Sequence, residues 1–267
     1  RGNSPSNPGG WSAPEVIGCF IVAGAALAWF IVAELRNPAP LLQIRLLAER
    51  NFGISMAVLT LFAIGMLGGT YLLPLYMQRG LGYTALMAGS VFLPVGLIQG
   101  VLSAVSGYLT RYVKPLLLAA AWGLFAGCAI ANLLSAAGIL IMALSFWLAS
   151  RFTLHTTHGH ILFILYLRGF GMGLTFAPLN LFSLKNLTQQ DMAAAAGISN
   201  SIKQLAGSIG IALLTVIFSA RTSYHAAHET VSAAQTYVEG VTDALRVVAV
   251  ITLAALLPLL GVFRKKR

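Results

Sequence analysis

Seven stretches of the chain are long and apolar enough to cross a lipid bilayer, and they constrain the fold more than any other feature. A membrane-crossing α-helix needs roughly 20 apolar residues, whereas a strand of a membrane β-barrel needs only about 10, with strict alternation. The stretches are therefore predicted to be helices, and the chain to be an all-α integral membrane protein. They lie at about residues 15–35, 53–76, 84–108, 115–150, 160–184, 193–219 and 241–263.

The composition agrees with lipid as the main solvent of the chain. Only 9% of the residues are charged and 58% are hydrophobic, and the mean hydropathy is +0.82. A soluble domain has about 25% charged residues, so this chain has too few charges to cover a water-exposed surface. The net charge of +10 would suggest nucleic-acid binding in a soluble protein. Here it is better explained by basic loops, and the bilayer, not a nucleic acid, is the predicted partner.

Lysine and arginine are distributed unequally between alternate connections. The loops 36–52, 109–114 and 184–192 and the tail after residue 263 contain 10 basic residues, and the opposite set contains 4. Because basic loops stay in the cytoplasm, we expect a multi-pass protein of the inner cell membrane with its N-terminus outside and its C-terminus in the cytoplasm. The overlong stretch 115–150 is then one crossing, since a second would move the basic tail outside. A break near residues 135–138 is an open alternative.

The segments around the first stretch differ from plain loops. Residues 1–14 are rich in Gly, Pro, Ser and Asn, begin with Arg1 and follow no signal peptide, so we expect an external loop of a longer protein. After a linker helix at 15–35, Pro38 and Pro40 end the helix. Apolar and charged residues then separate onto two sides of LLQIRLLAER, which predicts a short interfacial helix within the cytoplasmic segment 36–52.

Polar side chains within the apolar stretches are the strongest functional signal, because each is costly in lipid. An arginine at the middle of a membrane helix costs roughly 2.5–3.5 kcal/mol on insertion scales. We predict that these side chains line a polar cavity for substrate; the alternative is that the basic ones snorkel or pair with helix ends. They are Gln78, near the outer mouth, Gln99, Arg168, Asn200, Lys203 and Gln204.

Glycines concentrate in the fifth and sixth stretches. Small residues let membrane helices approach closely, so tight helix packing is the favoured interpretation, and bending around a transport path is the alternative. The predicted packing positions are Gly169, Gly171, Gly173, Gly207 and Gly210.

Carboxylates and histidines are predicted to lie outside the middle of the bilayer. Of the seven acids, none is expected near the middle of a span, although a proton-coupled carrier usually needs an embedded carboxylate or histidine. Asp243 is expected to pair with Arg246 or with Arg168. All five histidines fall in predicted external loops, where solvated side chains are favoured over a metal or pH-sensing site. The two cysteines lie in apolar stretches, and no disulfide is predicted.

Motifs of soluble enzymes are absent from the sequence. It contains no Walker loop, no GxSxG and no HExxH. We therefore predict no enzyme activity, no catalytic residues, no ATP-driven pump, no bound metal and no cofactor.

Several segments, taken in order, resemble a known family. They are GGW at 9–11, ELRNPAPLLQIRLLAERNF at 34–52, YLLPLYMQRGLGYTALMAG at 71–89, LPVGL at 93–97, SGYLTR at 106–111, RGFGMG at 168–173 and AAAAGISNSIKQLAGSIGIAL at 193–213. Their order and spacing resemble the C-terminal half of the fourteen-span drug:proton antiporters of the major facilitator superfamily (EmrB/QacA type).

The resemblance implies an organisation for the whole chain. Seven transmembrane helices would form the C-terminal part of a major facilitator fold. The first would be a linker helix, and residues 53–267 would form a six-helix bundle, built of two inverted three-helix repeats, with a basic cytoplasmic tail. The N-terminal half of the same transporter, with the titrating acid, would be a missing partner. SGYLTR resembles the family's cytoplasmic G-x-L-x-D-R loop, which implies a gate at Gly107 and Arg111, although Thr110 replaces the acid.

The resemblance also implies a function. The intact protein would export small hydrophobic, often cationic compounds in exchange for protons by alternating access, with the proton gradient as its energy source. Two alternatives stay open: a transporter of the same fold for a metabolite or siderophore, and a stand-alone seven-helix receptor or membrane enzyme.

Overall fold

The structure is a computed structural model that describes residues 14–36, 44–118, 123–184, 187–188, 191–228 and 232–259. Within these residues there is no β-strand. The α-helices are α1 (Pro14–Arg36), α2 (Arg50–Leu75), α3 (Ala85–Leu118), α4 (Gly123–Ala149), α5 (His158–Leu184), α6 (Asp191–His228) and α7 (Ala233–Ala254). A 3₁₀ helix, Ile44–Ala48, precedes α2, and a π-helical turn, Tyr76–Gly80, follows it.

The apolar stretches are helices, as the sequence predicts. By length and composition, six helices of the described part of the chain could cross a membrane, namely α2 to α7. The apolar part of α1, Ile17–Ala26, is shorter, so its crossing stays a prediction, as does the interfacial position of the segment 36–52. The all-helical membrane fold itself is confirmed.

Two helix ends and one possible helix break differ from what the sequence suggests. Residues 109–114, expected as a loop, belong to α3, which continues to Leu118 because no glycine or proline interrupts the chain between Gly107 and Pro115. Helix α4 runs without a break through residues 135–138, so the alternative of a break there is wrong. Helix α6 continues to His228, well past the expected end at 219, so His225 lies in a helix and not in a loop.

Helix α7 also begins earlier than the apolar stretch suggests. The Ser232 hydroxyl accepts a hydrogen bond from the Gln235 backbone N–H at 3.3 Å, which caps the helix and starts it at Ala233, eight residues before the expected 241. A hydroxyl cap can begin a helix well outside its apolar part. Glu239 and Asp243 are therefore helical residues of α7.

The bundle is held by close helix contacts around α2 and α5. A Cβ on Gly171 would lie 2.8 Å from the Gly138 carbonyl oxygen of α4, and one on Gly210 would lie 2.5 Å from the Ile64 carbonyl oxygen of α2. Side chains larger than hydrogen cannot fit there, so α5 meets α4, and α6 meets α2, backbone to backbone. The other predicted packing glycines also face neighbouring helices: Gly169 and Gly173 face α3, and Gly207 faces Leu67.

The helices differ in how much of their surface the bundle covers. In the most apolar windows of α3 and α6, 17% and 22% of the residues are buried, against 50–61% in α2, α4, α5 and α7. Helices α3 and α6 thus lie at the periphery of the bundle and leave long faces open.

Candidate functional site

A pocket of about 210 Å³ lies between α2, α5 and α6, where α5 ends and α6 begins. Helix α5 brings the pocket an aromatic ring and an amide, and α6 brings an amide and an amine, while α2 adds one apolar side chain. The lining residues are Leu59, Phe176, Asn180, Ser183, Leu184, Ala196, Ser199, Asn200 and Lys203.

Among the described residues of this lining, Lys203 is the only charged one. Its ammonium nitrogen lies 6.0 Å from the centroid of the Phe176 ring, a distance at which a cation is attracted to the face of an aromatic ring. Phe176 is itself held in place by Phe62 of α2, in an edge-to-face contact with centroids 5.5 Å apart. The amine therefore has a fixed apolar neighbour, and the described lining contains no carboxylate to neutralise it.

Most other polar groups of the pocket are bonded to the backbone of their own helix. The Asn180 amide nitrogen donates to the Phe176 carbonyl at 2.9 Å, and the Ser183 hydroxyl donates to the Asn180 carbonyl at 2.7 Å. The Ser199 hydroxyl donates to the Ala195 carbonyl at 2.7 Å. Asn200 is exposed and lies one turn before Lys203. The groups positioned to meet a ligand are thus Lys203, the Asn200 amide and the Phe176 ring.

Arg168 occupies a different place, inside the bundle. Its side chain is 3% exposed, and its Nη2 donates to the Met66 carbonyl oxygen at 3.0 Å and to the Thr70 hydroxyl, both on α2. Its guanidinium carbon lies 5.3 Å from the centroid of the Phe146 ring of α4. Arg168 is thus bonded to the interior of α2 and not to a helix end, and it lies outside the pocket.

The remaining predicted site residues do not gather at the pocket. Gln99 is half-buried in α3 at its contact with Gly173 of α5. Gln204 is exposed on α6, one turn beyond Asn200, and Gln78 is exposed in the π-helical turn. Of the six predicted cavity residues, the structure therefore brings together Asn200 and Lys203, and a cavity role for the other four stays a prediction.

The predicted gate residues lie within helix α3. A Cβ on Gly107 would lie 3.7 Å from the Cβ of Ala177 on α5, an ordinary van der Waals distance. Arg111 lies in the helical extension of α3, and its side chain is outside the described part of the structure. The gate stays a prediction.

A second cleft, between α6 and α7, was missed by sequence reasoning. It measures about 620 Å³ and is lined by Ile217, Ala220, Arg221, His225, Asp243, Arg246 and Val247. Because α7 starts at Ala233, Asp243 lies midway along that helix and not at its start, as the predicted stretch 241–263 implied; that no acid lies near the middle of the bilayer stays a prediction. The sequence pattern that could have indicated this cleft is the four-residue spacing of Glu239 and Asp243, with Arg246 one helical turn further.

Asp243 has several partners in this cleft. Its Oδ1 lies 2.8 Å from Arg246 Nη1, and its Oδ2 lies 3.1 Å from His225 Nε2 and 3.9 Å from Arg221 Nε. The predicted pair with Arg246 is confirmed, and the alternative pair with Arg168 is wrong, because Arg168 is bonded to α2 instead.

Comparisons with known proteins identify the family. A family model described as Major Facilitator Superfamily matches residues 6–211. The chain is 28% identical over 224 residues to the uncharacterised MFS-type transporter YhcA of Bacillus subtilis, covering 84% of this chain and 39% of the relative. It is 31% identical over 222 residues to the multidrug export protein EmrB of Escherichia coli K12, with 83% and 40% covered. It is 28% identical over 211 residues to the fatty acid resistance protein FarB of Neisseria gonorrhoeae, with 79% and 38% covered.

These relatives are much longer than this chain. It spans about two-fifths of the length of the curated relatives it matches. The family model covers far more than half of the chain, in agreement with the helical membrane bundle and its glycine-mediated contacts. The chain belongs to the major facilitator superfamily.

Proposed function

We propose that this chain is the C-terminal half of a secondary transporter that exports small hydrophobic compounds from the cell in exchange for protons, by alternating access. The observation that carries the proposal is the pocket between α2, α5 and α6, which combines an aromatic ring, an amide and an amine inside a major facilitator bundle. The relatives EmrB and FarB, which are named for multidrug export and fatty acid resistance, support an efflux role.

The charge distribution supports an orientation for this half. The excess of lysine and arginine in one set of connections favours an external N-terminus and a cytoplasmic C-terminus in the inner cell membrane. In that orientation the Lys203 pocket opens near the cytoplasmic side and the His225 cleft lies near the external side. A compound from the cytoplasm would reach the Lys203 pocket first.

The open faces of α3 and α6 support a docking position for the missing N-terminal half. Both helices are mostly uncovered, and the relatives are about two and a half times longer than the matched segment. The exposed face of α6 includes Asn200, Gln204 and Ser208, whose polar groups are costly to leave against lipid tails. We therefore place the other half, which would supply the family's titrating acid, against these two faces.

The charge of the pocket favours a class of substrate. Lys203 is the single charged residue in the part of the lining that the structure describes, and Leu59, Phe176 and Leu184 supply apolar surface. A cationic compound would be repelled by the amine, whereas a fatty acid or another amphipathic acid could place its carboxylate near Lys203 and its chain along the apolar wall. We propose acidic or neutral amphipathic compounds as substrates, in preference to the cationic ones that the family resemblance implies.

The efflux proposal is tested in cells that make the complete transporter. Cells should accumulate less of a fluorescent fatty acid than cells with an empty vector, and a protonophore should abolish the difference. Equal accumulation in both strains, with the protein present in the membrane, would contradict transport. If efflux persists after the proton gradient collapses, transport would stand and only its coupling to protons would be contradicted.

The substrate class is tested by Lys203→Met, which removes the charge and keeps an unbranched side chain. Efflux of the fatty acid should fall about fivefold to tenfold, the size of an interaction of about 1–1.4 kcal/mol, and efflux of a lipophilic cationic dye should not fall. Arg151→Met, at an exposed arginine in the turn after α4, is the control and should match the wild type. An equal loss for acid and cation would refute charge selection by Lys203.

A further inference from the structure

The cleft between α6 and α7 holds a histidine with a carboxylate at each ring nitrogen. His225 Nδ1 lies 3.5 Å from Glu239 Oε2, and His225 Nε2 lies 3.1 Å from Asp243 Oδ2. Glu239 and Asp243 are four residues apart on α7, so they lie on one face of that helix. The histidine side chain is 15% exposed, and it thus bridges two acids of the neighbouring helix in a partly dehydrated position.

This geometry selects one protonation state of the ring. A neutral imidazole has one N–H donor and one nitrogen lone pair, whereas the imidazolium has two N–H donors. In the neutral form, one nitrogen lone pair would therefore face a carboxylate oxygen at close range. In the charged form both nitrogens carry an N–H, so Nε2 donates to Asp243, and the positive charge attracts Glu239, whose buried Oε2 has no hydrogen-bond partner among the described residues and lies 3.5 Å from Nδ1.

The other charged groups in the cleft do not replace the histidine. Arg221 and Arg246 both contact Asp243, and their side chains are more than half exposed, so water weakens their effect. Glu239 accepts a hydrogen bond from the Gln235 amide at 3.2 Å. Among the described residues, His225 is the cation within ion-pair distance of Glu239.

The aromatic neighbours complete the surroundings of the ring. Tyr224 meets His225 edge-on, with centroids 5.7 Å apart. Tyr237, on α7, packs against Phe218 of α6, with centroids 4.9 Å apart, and the Arg79 guanidinium lies 6.0 Å from the Tyr237 ring. These rings supply aromatic surface around the imidazole.

We propose that His225 is a proton-binding site that joins α6 to α7 through Glu239 and Asp243. One proton from water binds the imidazole, and the imidazolium then bridges the two carboxylates; release of that proton to water removes one of the two bridges and loosens the contact. The site lies in the half of the molecule for which the family resemblance implies no titrating group, and it does not depend on what the transporter carries.

The first test measures the thermal stability of the purified complete transporter in nanodiscs as a function of pH. Because the folded cleft holds the proton more tightly than an unfolded chain, the unfolded chain binds fewer protons and stability falls as pH rises. Between about pH 6 and about pH 8 the unfolding temperature of the wild type should fall by about 2–4 °C through this site. His225→Gln should lose that part of the pH dependence, and His225→Lys, which keeps a charge at both pH values, should lose it as well.

The control is His155→Gln, at an exposed histidine in the turn after α4, which should keep the pH dependence of the wild type. Glu239→Gln should remove about half of the dependence, because one bridge is left. If His225→Gln and the wild type lose the same stability between the two pH values, the proposal is wrong.

A second test uses only the wild-type protein, so it does not depend on whether a variant folds. Diethyl pyrocarbonate modifies neutral imidazole, so the modification of each histidine can be followed by peptide mass spectrometry in the wild-type protein as pH rises. Burial slows His225 at every pH, whereas proton binding shifts the pH at which its modification begins. We expect that midpoint to lie at a higher pH in the folded protein than in the same protein unfolded by denaturant. Equal midpoints for His225 in the folded and unfolded protein would overturn the proposal.

Discussion

Arg168 and Lys203 are both basic residues within membrane-crossing helices, and the bundle accommodates them in opposite ways. Arg168 is enclosed by α2, α4 and α5, and its Nη2 is bonded to a backbone carbonyl and a hydroxyl of α2. Lys203 stands at the edge of an open pocket, against one aromatic ring. Both meet the cost of a charge in lipid. The arginine has protein partners for Nη2 and an aromatic ring beside the guanidinium, although its buried Nε and Nη1 have no hydrogen-bond partner in the described part of the chain; the lysine has access to a cavity.

The difference teaches which intramembrane charge is available to a ligand. The guanidinium has five N–H donors in a rigid plane and can bond to two helices at once, which suits an internal tie. The ammonium is a point charge at the end of a flexible side chain, which suits the binding of ligands of different shapes. We therefore assign stability to Arg168 and recognition to Lys203, and the four predictions that follow are arranged around this contrast.

The largest effect is expected for Arg168→Ala. The substitution removes a large buried side chain from between three helices and leaves a cavity, which should lower the free energy of unfolding by about 3 kcal/mol. Lys203→Ala, at the pocket edge, should lower it by less than about 1 kcal/mol. Thermal unfolding of both variants in the same detergent measures the contrast.

The control for this prediction is Arg168→Met, which fills most of the space without the charge. It should be closer to the wild type than Arg168→Ala, because a buried charge without an acid partner contributes little that an apolar side chain cannot. Equal losses in Arg168→Ala and Lys203→Ala would break the comparison, because the two sites would then contribute alike to stability.

The second prediction reverses the charge in the pocket. Lys203→Glu should lower fatty acid efflux by more than tenfold, because a carboxylate then faces a carboxylate, and raise efflux of a lipophilic cation. The amount of folded protein should change little, since this side chain reaches the pocket opening. Transport assays with one acid and one cation, corrected for the protein present in the membrane, measure it. Loss of both activities together would show that Lys203 does not select by charge.

The sequence accounts for much of the bundle, for a physical reason. In lipid each span must bond its own backbone polar groups, so apolar length alone predicts helices. Hydropathy reports how far a stretch is apolar and not where a helix ends, which is why it does not predict that residues 109–114 are helical or that α7 starts at Ala233. Helix ends depend on local caps and breakers, and these lie outside the apolar windows.

The candidate site was only partly predictable. Asn200 and Lys203 are three residues apart on one helix, so their shared face follows from helical spacing. Arg168 could not be separated from them, because its partners Met66 and Thr70 belong to another helix. The bridge from His225 to Glu239 and Asp243 was missed for the same reason: it needs the true lengths of two helices and the side on which they meet.

The third prediction concerns the tie between Arg168 and α2. The Thr70 hydroxyl accepts a hydrogen bond from Arg168 and itself donates to the Met66 carbonyl at 2.6 Å. Thr70→Val removes the acceptor without changing the shape of the side chain, and should lower the free energy of unfolding by about 1 kcal/mol.

Thr60 offers a matched control on the same helix. Its hydroxyl donates to the Met56 carbonyl at 2.7 Å, the same local bond as that of Thr70. Arg168 is bonded to Met66 and Thr70, which lie further towards the C-terminal end of α2. Thr60→Val should therefore change stability by less than about 0.5 kcal/mol. If both threonine variants lose the same amount, the loss belongs to the local backbone bond, and Arg168 is not held by Thr70 in any way that matters for stability.

The smallest effect is expected at the amide that accompanies Lys203. Asn200 lines the pocket, whereas Gln204 lies one turn further along the exposed face of α6 and outside the lining. Asn200→Leu should lower fatty acid efflux about threefold, the loss of one hydrogen bond to a ligand, and Gln204→Leu should leave the rate within error of the wild type. Both variants replace an exposed amide with the same apolar side chain, so changes in insertion or docking of the other half affect them alike. A larger loss for Gln204→Leu would move the recognition surface from the pocket to the open face of α6.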